Sequence, residues 1–159
     1  MDAFRKIDVD KYDEDVISDA ELVEPYPKSP QDASAEARSK VAEVRQLIGR
    51  NDVAGALALV LSNPPYGPGV EDAKHTTLLT LLEILNSTKS TDIPNAVKGL
   101  DIDQKDNLMK YIYKGLELGG SGGEREGVNC AVLLGWHERL TEVAGTGCIV
   151  RVMSDRRTV

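Results

Sequence analysis

The two histidines and two cysteines are the side chains best suited to bind a metal ion or to supply a nucleophile and its base. The intervals between Cys130, His137 and Cys148 are seven and eleven residues, which match no zinc-binding spacing even with His75 as a fourth ligand. Cys130 and His137 would also lie about 10 Å apart along a helix, too far to share a hydrogen bond. We therefore expect neither a metal site nor a catalytic pair, and interpret His137 as a hydrogen-bonded histidine in a core or interface.

Other short motifs offer no better chemistry. Asp101 and Asp103 are typical of a helix cap and turn rather than of a catalytic carboxylate pair. The glycine-rich residues 119–127 lack the Lys followed by Ser or Thr of a phosphate-binding loop, and we interpret them as a flexible insertion. A lone Gly-x-Gly at residues 145–147 is a weak anion signal. The sequence thus predicts a protein that is not an enzyme and uses no cofactor.

Composition and charge narrow the class further. Aromatic residues make up only 4% of the chain, which favours an all-α fold. Residues 1–33 carry ten of the 26 acidic and four of the 19 basic residues, a net charge of -6, and the other 126 residues carry -1. Neither part has the basic excess that phosphate contacts require, so we expect no nucleic-acid partner.

The sequence shows no targeting segment. No positively charged start leads into an apolar stretch, and no apolar run approaches the roughly 18 residues of a membrane span. We therefore expect a cytoplasmic protein without membrane contact. In that compartment Cys130 and Cys148 should be reduced and buried rather than bridged.

The first 33 residues are predicted to form an extended acidic arm and a proline-rich linker. In residues 4–17, FRKIDVDKYDEDVI, apolar and acidic residues are mixed without a single period, so the segment cannot bury enough surface to fold alone. It is either a disordered acidic leader or an extended peptide that docks on another protein through spaced apolar anchors. Residues 24–34, EPYPKSPQDAS, hold three of the seven prolines and indicate a linker.

Residues 34–159 are predicted to form one compact helical domain of about six to seven helices. Ser34 and Asp52 are the expected caps of the first two helices, which a short turn joins into an antiparallel hairpin. The predicted helices cover residues 34–48, 52–61 and 70–86, a short segment capped by Ser90 or Thr91 that ends near Gly99, a central helix that ends at Gly119, residues 130–144 and the tail.

The C-terminal tail is the most ambiguous element. Residues 148–155 fit either a helix or a strand, because Ile149 and its neighbours are β-branched. We predict a helix with Ile149, Val152 and Met153 on one side, since no other segment offers a strand for pairing. Arg151, Arg156 and Arg157 add positive charge there, either as a solvated helix end or as a docking patch for an acidic partner.

Two of the predicted helices are apolar around more than half of their circumference. The central helix, LMKYIYKGLEL at residues 108–118, and the helix at residues 130–144 each have an apolar arc of roughly 200°. A helix on the surface of one core needs an arc of only about 100°. Both should therefore be covered on two sides, by their own chain in the simpler interpretation or by a permanent partner.

Five strings carry a family resemblance: FRKIDVDKYDED, Asn63-Pro64-Pro65, LMKYIYKG, LLGWHE and the terminal GCIVRVMSDRRTV. In this order they closely resemble the smallest subunit of the actin-related protein 2/3 complex. The matches lie at both ends of the chain. The loop at residues 119–127 and Leu116, where an aromatic residue is expected, depart from the family pattern.

The resemblance implies a non-catalytic subunit of the assembly that nucleates branched actin filaments, with an all-helical domain and an extended N-terminal arm. It implies that the domain docks on structural subunits, one of them a β-propeller, and that the arm reaches the actin-related protein 2 subunit. ATP binding belongs to the actin-related subunits in this family, and no homo-oligomer is expected. The arm residues that match the motif are Phe4, Arg5, Ile7, Asp8, Val9, Asp10 and Tyr12.

The resemblance gives the domain a second set of candidate contacts. These residues, each of which could equally serve the internal core, are Lys110, Tyr111, Trp136, His137 and Arg151. A competing interpretation is a free-standing helical adaptor that binds short peptides, which would be stable and monomeric alone.

Overall fold

The computed structural model describes residue 17 and residues 21–120 and 127–159. Among these residues it contains seven α-helices and no strand, so the predicted all-α class is confirmed. No helix in the described ranges combines the length and apolar character needed to cross a bilayer. The helices are α1 (Pro30–Gly49), α2 (Val53–Leu61), α3 (Glu71–Ser87), α4 (Ile93–Lys98), α5 (Ile102–Gly120), α6 (Cys130–Ala144) and α7 (Thr146–Ser154).

The first helix begins four residues earlier than predicted. Ser29, not Ser34, is the N-cap, and its hydroxyl accepts a hydrogen bond of 3.2 Å from the Asp32 amide. Pro30 occupies the first helical position, where its missing N–H costs nothing and its fixed φ suits the helix. The proline that suggested a linker therefore starts a helix instead.

The predicted N-cap is correct for α2 and wrong for α4. Asp52 caps α2 as predicted, because its carboxylate accepts from the Gly55 amide at 2.9 Å. The prediction of Ser90 or Thr91 as the cap of α4 is wrong: Asp92 holds the N-cap position and makes no side-chain cap hydrogen bond. A bond of 2.8 Å from Lys40 Nζ of α1 to the Ser62 carbonyl after α2 supports the predicted hairpin.

The central helix starts with a reciprocal cap. The Asp101 carboxylate accepts from the Gln104 amide at 2.7 Å, and the Gln104 side chain accepts from the Asp101 amide at 3.1 Å. This arrangement is a capping box, and it confirms the interpretation of Asp101 as a capping residue. The helix continues one residue beyond Gly119, the predicted end.

Four helices of the same chain, α2, α3, α6 and α7, pack against α5. Its buried residues are Leu108, Met109, Tyr111, Ile112 and Gly115. The wide apolar arc is thus covered by the chain itself, which confirms the simpler of the two interpretations. The arc of α6 is covered only in part: Leu133, Trp136 and Leu140 are buried, whereas Leu134 is 57% exposed.

Trp136 ties α6 to the end of α3. It is fully buried, and its indole N–H donates to the Leu85 carbonyl at 3.2 Å. One turn before the end of α3, the Ile84 carbonyl accepts from the hydroxyls of Ser87 and Thr88. Side chains therefore satisfy carbonyls that the end of a helix leaves without intrahelical partners.

Gly115 lets α5 approach α6 closely. A β-carbon at this position would lie 2.9 Å from Leu133 Cδ1, a buried side chain of α6. Gly135 of α6 is the opposite case, because nothing lies within 4 Å of the position that its β-carbon would take. Alanine substitutions at Gly115 and Gly135 can therefore be compared directly, one in a tight contact and one in open space.

We expect Gly135→Ala to stabilise the protein by about 0.5–1 kcal/mol, because alanine loses less backbone entropy in a helix. Gly115→Ala should forfeit that gain, since overpacking a core costs about 1–3 kcal/mol. Urea unfolding of both variants measures the difference in the free energy of unfolding. A Gly115→Ala protein as stable as Gly135→Ala would show that the two helices are not in tight contact.

Candidate partner interface

The arm residues predicted to bind a partner lie outside the described residues. All seven of them fall within residues 1–16. Their role in binding therefore stays a prediction, and the candidate interface that the structure describes is confined to the helical domain.

Two of the domain candidates lie inside the core. Tyr111 and Trp136 are 1% and 0% exposed. Burial raises the pKa of the Tyr111 phenol, and its hydroxyl has no hydrogen-bond partner among the described residues. Of the two roles left open by the sequence, the structure thus favours the core for both side chains.

His137 bridges α5 and α6 through Tyr113. Its Nε2 lies 3.1 Å from the Tyr113 hydroxyl, and the two rings meet edge to face at 5.5 Å between centroids. Both side chains are half-buried. The expected hydrogen-bonded histidine is confirmed, in a contact between two helices of the same chain.

Lys110 also makes its contacts within the chain. Its side chain is only 12% exposed, and Nζ lies 2.5 Å from the Asp155 carboxylate and 3.3 Å from the Arg157 carbonyl. Burial acts to raise the pKa of Asp155, but hydrogen bonds from Lys110 and the Arg157 amide outweigh it and lower the pKa. Lys110 therefore holds the C-terminal tail against α5.

The three tail arginines differ in their surroundings. Arg151 binds Asp106 in a bidentate pair with distances of 2.6 and 2.8 Å, although half of its side chain is exposed. The Arg157 guanidinium lies 5.1 Å from the centre of the Tyr66 ring. Arg156 is exposed. The partners of Arg151 and Arg157 within the chain reduce the positive charge available to a docking patch.

Two apolar side chains of α7 face outward. Val150 and Met153 are 65% and 73% exposed, and their spacing of three residues places them next to each other on one face. The predicted helix is confirmed, and within it Met153 is exposed while Cys148 is buried and faces the Lys105 carbonyl of α5. Val150 was not among the candidates from the sequence; at 100° per residue it lies about 160° around the helix from Val152, which is the signal that could have placed it on another side.

The cysteines and histidines do not converge. Cys130 and Cys148 are both free, as expected. Cys130 is nevertheless exposed, contrary to prediction, because it is the first residue of α6. Cys148 is buried, which raises the pKa of its thiol to about 12. Among the described residues no group of three or more His, Cys, Asp or Glu side chains could hold a metal ion.

The fold and this surface define a small all-helical protein with a strongly acidic N-terminal segment. A family model described as ARP2/3 complex 16 kDa subunit (p16-Arc) matches residues 3–159. Curated relatives include actin-related protein 2/3 complex subunit 5-C of Xenopus laevis, 40% identical over 98% of this chain and 94% of the relative. Subunit 5 of Saccharomyces cerevisiae is 35% identical over 98% of this chain and 97% of its own length. The chain therefore belongs to the p16-Arc family.

The Asp106–Arg151 pair should make stability depend on acid. Burial acts to raise the pKa of Asp106, but hydrogen bonds from Arg151 and Cys148 outweigh it and lower the pKa. A carboxyl with a lowered pKa in the folded state stabilises the protein above its ordinary pKa of about 4, and this contribution is lost as pH falls through the lowered value.

We therefore expect the free energy of unfolding to fall below about pH 4, with a shallower fall in Asp106→Asn. Arg151→Gln removes the donor but keeps the carboxyl, and it should flatten the pH dependence in the same direction. Urea unfolding at a series of pH values provides the measurement. Curves for both variants that run parallel to the wild type would contradict a stabilising pair.

Proposed function

We propose that this chain is a non-catalytic structural subunit of the actin-related protein 2/3 complex, which nucleates branched actin filaments in the actin cytoskeleton. The observation that carries the proposal is the family match from residue 3 to residue 159, which includes both the acidic arm and the helical domain. Relatives named as subunit 5 of that complex match over nearly their whole length, so the resemblance is not confined to a shared helical pattern.

The arm is the proposed tether of the actin-related protein 2 subunit. Phe4, Ile7, Val9 and Tyr12 provide apolar anchors at short intervals, and the acids between them keep the segment soluble. A segment that cannot fold alone orders only when it binds, so it can span a distance between two subunits. The helical domain would then supply the fixed end of the tether.

The domain is proposed to dock on other structural subunits through the outer face of α7. The chain covers the wide arc of α5 and part of that of α6, so an interface must use side chains that remain exposed. Val150 and Met153 form such a pair, and Arg156 lies two residues after the end of α7. An apolar pair beside a cation suits a partner surface that is apolar at its centre and acidic at its edge.

A free-standing adaptor for short peptides is the alternative. It would place the bound peptide in a groove of the domain, and the groove between residues 24–28 and α5 has a volume of about 720 Å³. The family match favours the complex, because an adaptor gives no reason for the arm to match together with the domain.

To test the tether, residues 1–17 are deleted and the complex is reconstituted with the other subunits. We expect the shortened chain to assemble but to hold the actin-related protein 2 subunit more weakly, measured as its rate of dissociation from the immobilised complex. Alanine at the four apolar anchors should have the same effect, whereas the control Asp13→Asn with Asp15→Asn should not. Unchanged dissociation after deletion would remove the tether from the proposal.

To test the docking face, Val150→Ser is combined with Met153→Ser. If both side chains are buried against a partner, affinity for the structural subunits should fall about 10-fold or more. The control Leu79→Ser alters an exposed leucine of α3 and should leave affinity unchanged. Titration of each labelled variant with the assembled structural subunits measures this affinity. Equal affinities for the double variant and the control would place the interface elsewhere.

A further inference from the structure

Three segments outside the helices meet at Tyr66: residues 24–28, the loop at 63–69 and the tail at 155–159. The Tyr26 ring packs edge to face on the Tyr66 ring, with 5.3 Å between centroids and an angle of 88°. The Arg157 guanidinium lies 5.1 Å from the centre of the same ring. Tyr66 thus contacts the segment that precedes α1 and the segment that follows α7.

The N-terminal segment is held at further points. Tyr26 packs against a small cluster of buried residues from α1 and the start of α3, namely Ala33, Ala37, Val70 and Ala73. Partial burial raises the pKa of its phenol, and the nearby Glu36 carboxylate adds to the effect. Lys28 forms an ion pair with Glu36. The predicted linker is therefore packed on the domain in this region.

The C-terminal tail is fixed from its own side. The Thr158 carbonyl accepts a hydrogen bond of 3.3 Å from the Gly67 amide, next to Tyr66. Lys110 binds both Asp155 and the Arg157 carbonyl. The Arg157 side chain also comes within 3.9 Å of the Glu24 carboxylate. A tail anchored in this way holds Arg157 over the Tyr66 ring.

We infer that Tyr66 is a positioning residue that clasps residues 24–28 to the domain, so that the arm leaves the domain at residue 23 rather than at the start of α1. We name Tyr26, Tyr66 and Arg157 the Tyr66 clasp. The inference rests on the proposed function, because a tether needs a defined origin on the subunit that carries it.

The clasp shortens the tether. Between the last apolar anchor, Tyr12, and the clasped residues 24–28 the chain counts 11 residues, and between Tyr12 and α1 it counts 17. For a flexible spacer longer than the gap it must span, the effective concentration falls roughly as the -3/2 power of length. Loss of the clasp should therefore weaken the arm's contribution about twofold.

The clasp itself is tested on the full-length chain by ¹⁵N relaxation. In Tyr66→Ala the amide order parameters of Glu24, Tyr26 and Lys28 should fall from about 0.85 to below about 0.6, the range of flexible backbone. Tyr66→Phe keeps the ring and both of its contacts, and should retain the wild-type values. Unchanged order parameters in Tyr66→Ala would overturn the inference.

The role of the Tyr66 clasp in tethering is tested in the reconstituted complex. Tyr66→Ala should raise the dissociation rate of the actin-related protein 2 subunit about twofold, while Tyr66→Phe should match the wild type. An unchanged rate in Tyr66→Ala, where deletion of residues 1–17 does raise it, would overturn the positioning role. If the deletion has no effect and Tyr66→Ala still releases residues 24–28, the tether fails and the clasp stands.

Discussion

The burial of α5 is the constraint on which the rest of the structure depends. This helix is apolar around most of its circumference, and water contact along that surface would cost about 25 cal/mol for each Å² left exposed. Four other helices cover it, and Gly115 allows a close contact with Leu133 of α6. The positions of α6 and α7 follow from this requirement, and with them the set of side chains that stay exposed.

Polar groups around α5 are satisfied by long side chains from neighbouring helices. The end of α2 shows this best: the Leu61 carbonyl accepts from Asn107 of α5 at 3.2 Å, and the Ser62 carbonyl accepts from Lys40 of α1. Asn63 then adopts a positive φ of 50° and two prolines stop the helix. A buried helix end without such partners would cost about 1–3 kcal/mol for each unpaired group. The helices therefore pack so that these side chains also reach the backbone carbonyls that need a donor.

Local signals in the sequence predicted most of the helices because each signal acts over a few residues. Asp52, the Asp101 region and the run from Cys130 to Ala144 gave correct caps and bounds. The predictions failed where contacts between distant parts of the chain determine a helix start or the exposure of a side chain. Pro30 suits a linker or a first helical turn equally well, the exposure of Cys130 follows from its place at the start of α6, and the outward side of α7 depends on how Cys148 meets α5. The candidate contact residues were subject to the same limit. The sequence gives no sign that Lys110 is paired, because only the fold brings Asp155 next to it.

The central claim is that this chain works as a subunit of the actin-related protein 2/3 complex, through exposed side chains of a closed helical domain and through its arm. The most direct test is purification of the native protein from extract of its own cells, with the mass and stoichiometry of co-eluting proteins determined by size-exclusion chromatography and mass spectrometry. If the chain is such a subunit, it should elute in a large assembly with two actin-related proteins at equal ratio. Elution as a lone species of 17.3 kDa would contradict this claim and would favour a free adaptor.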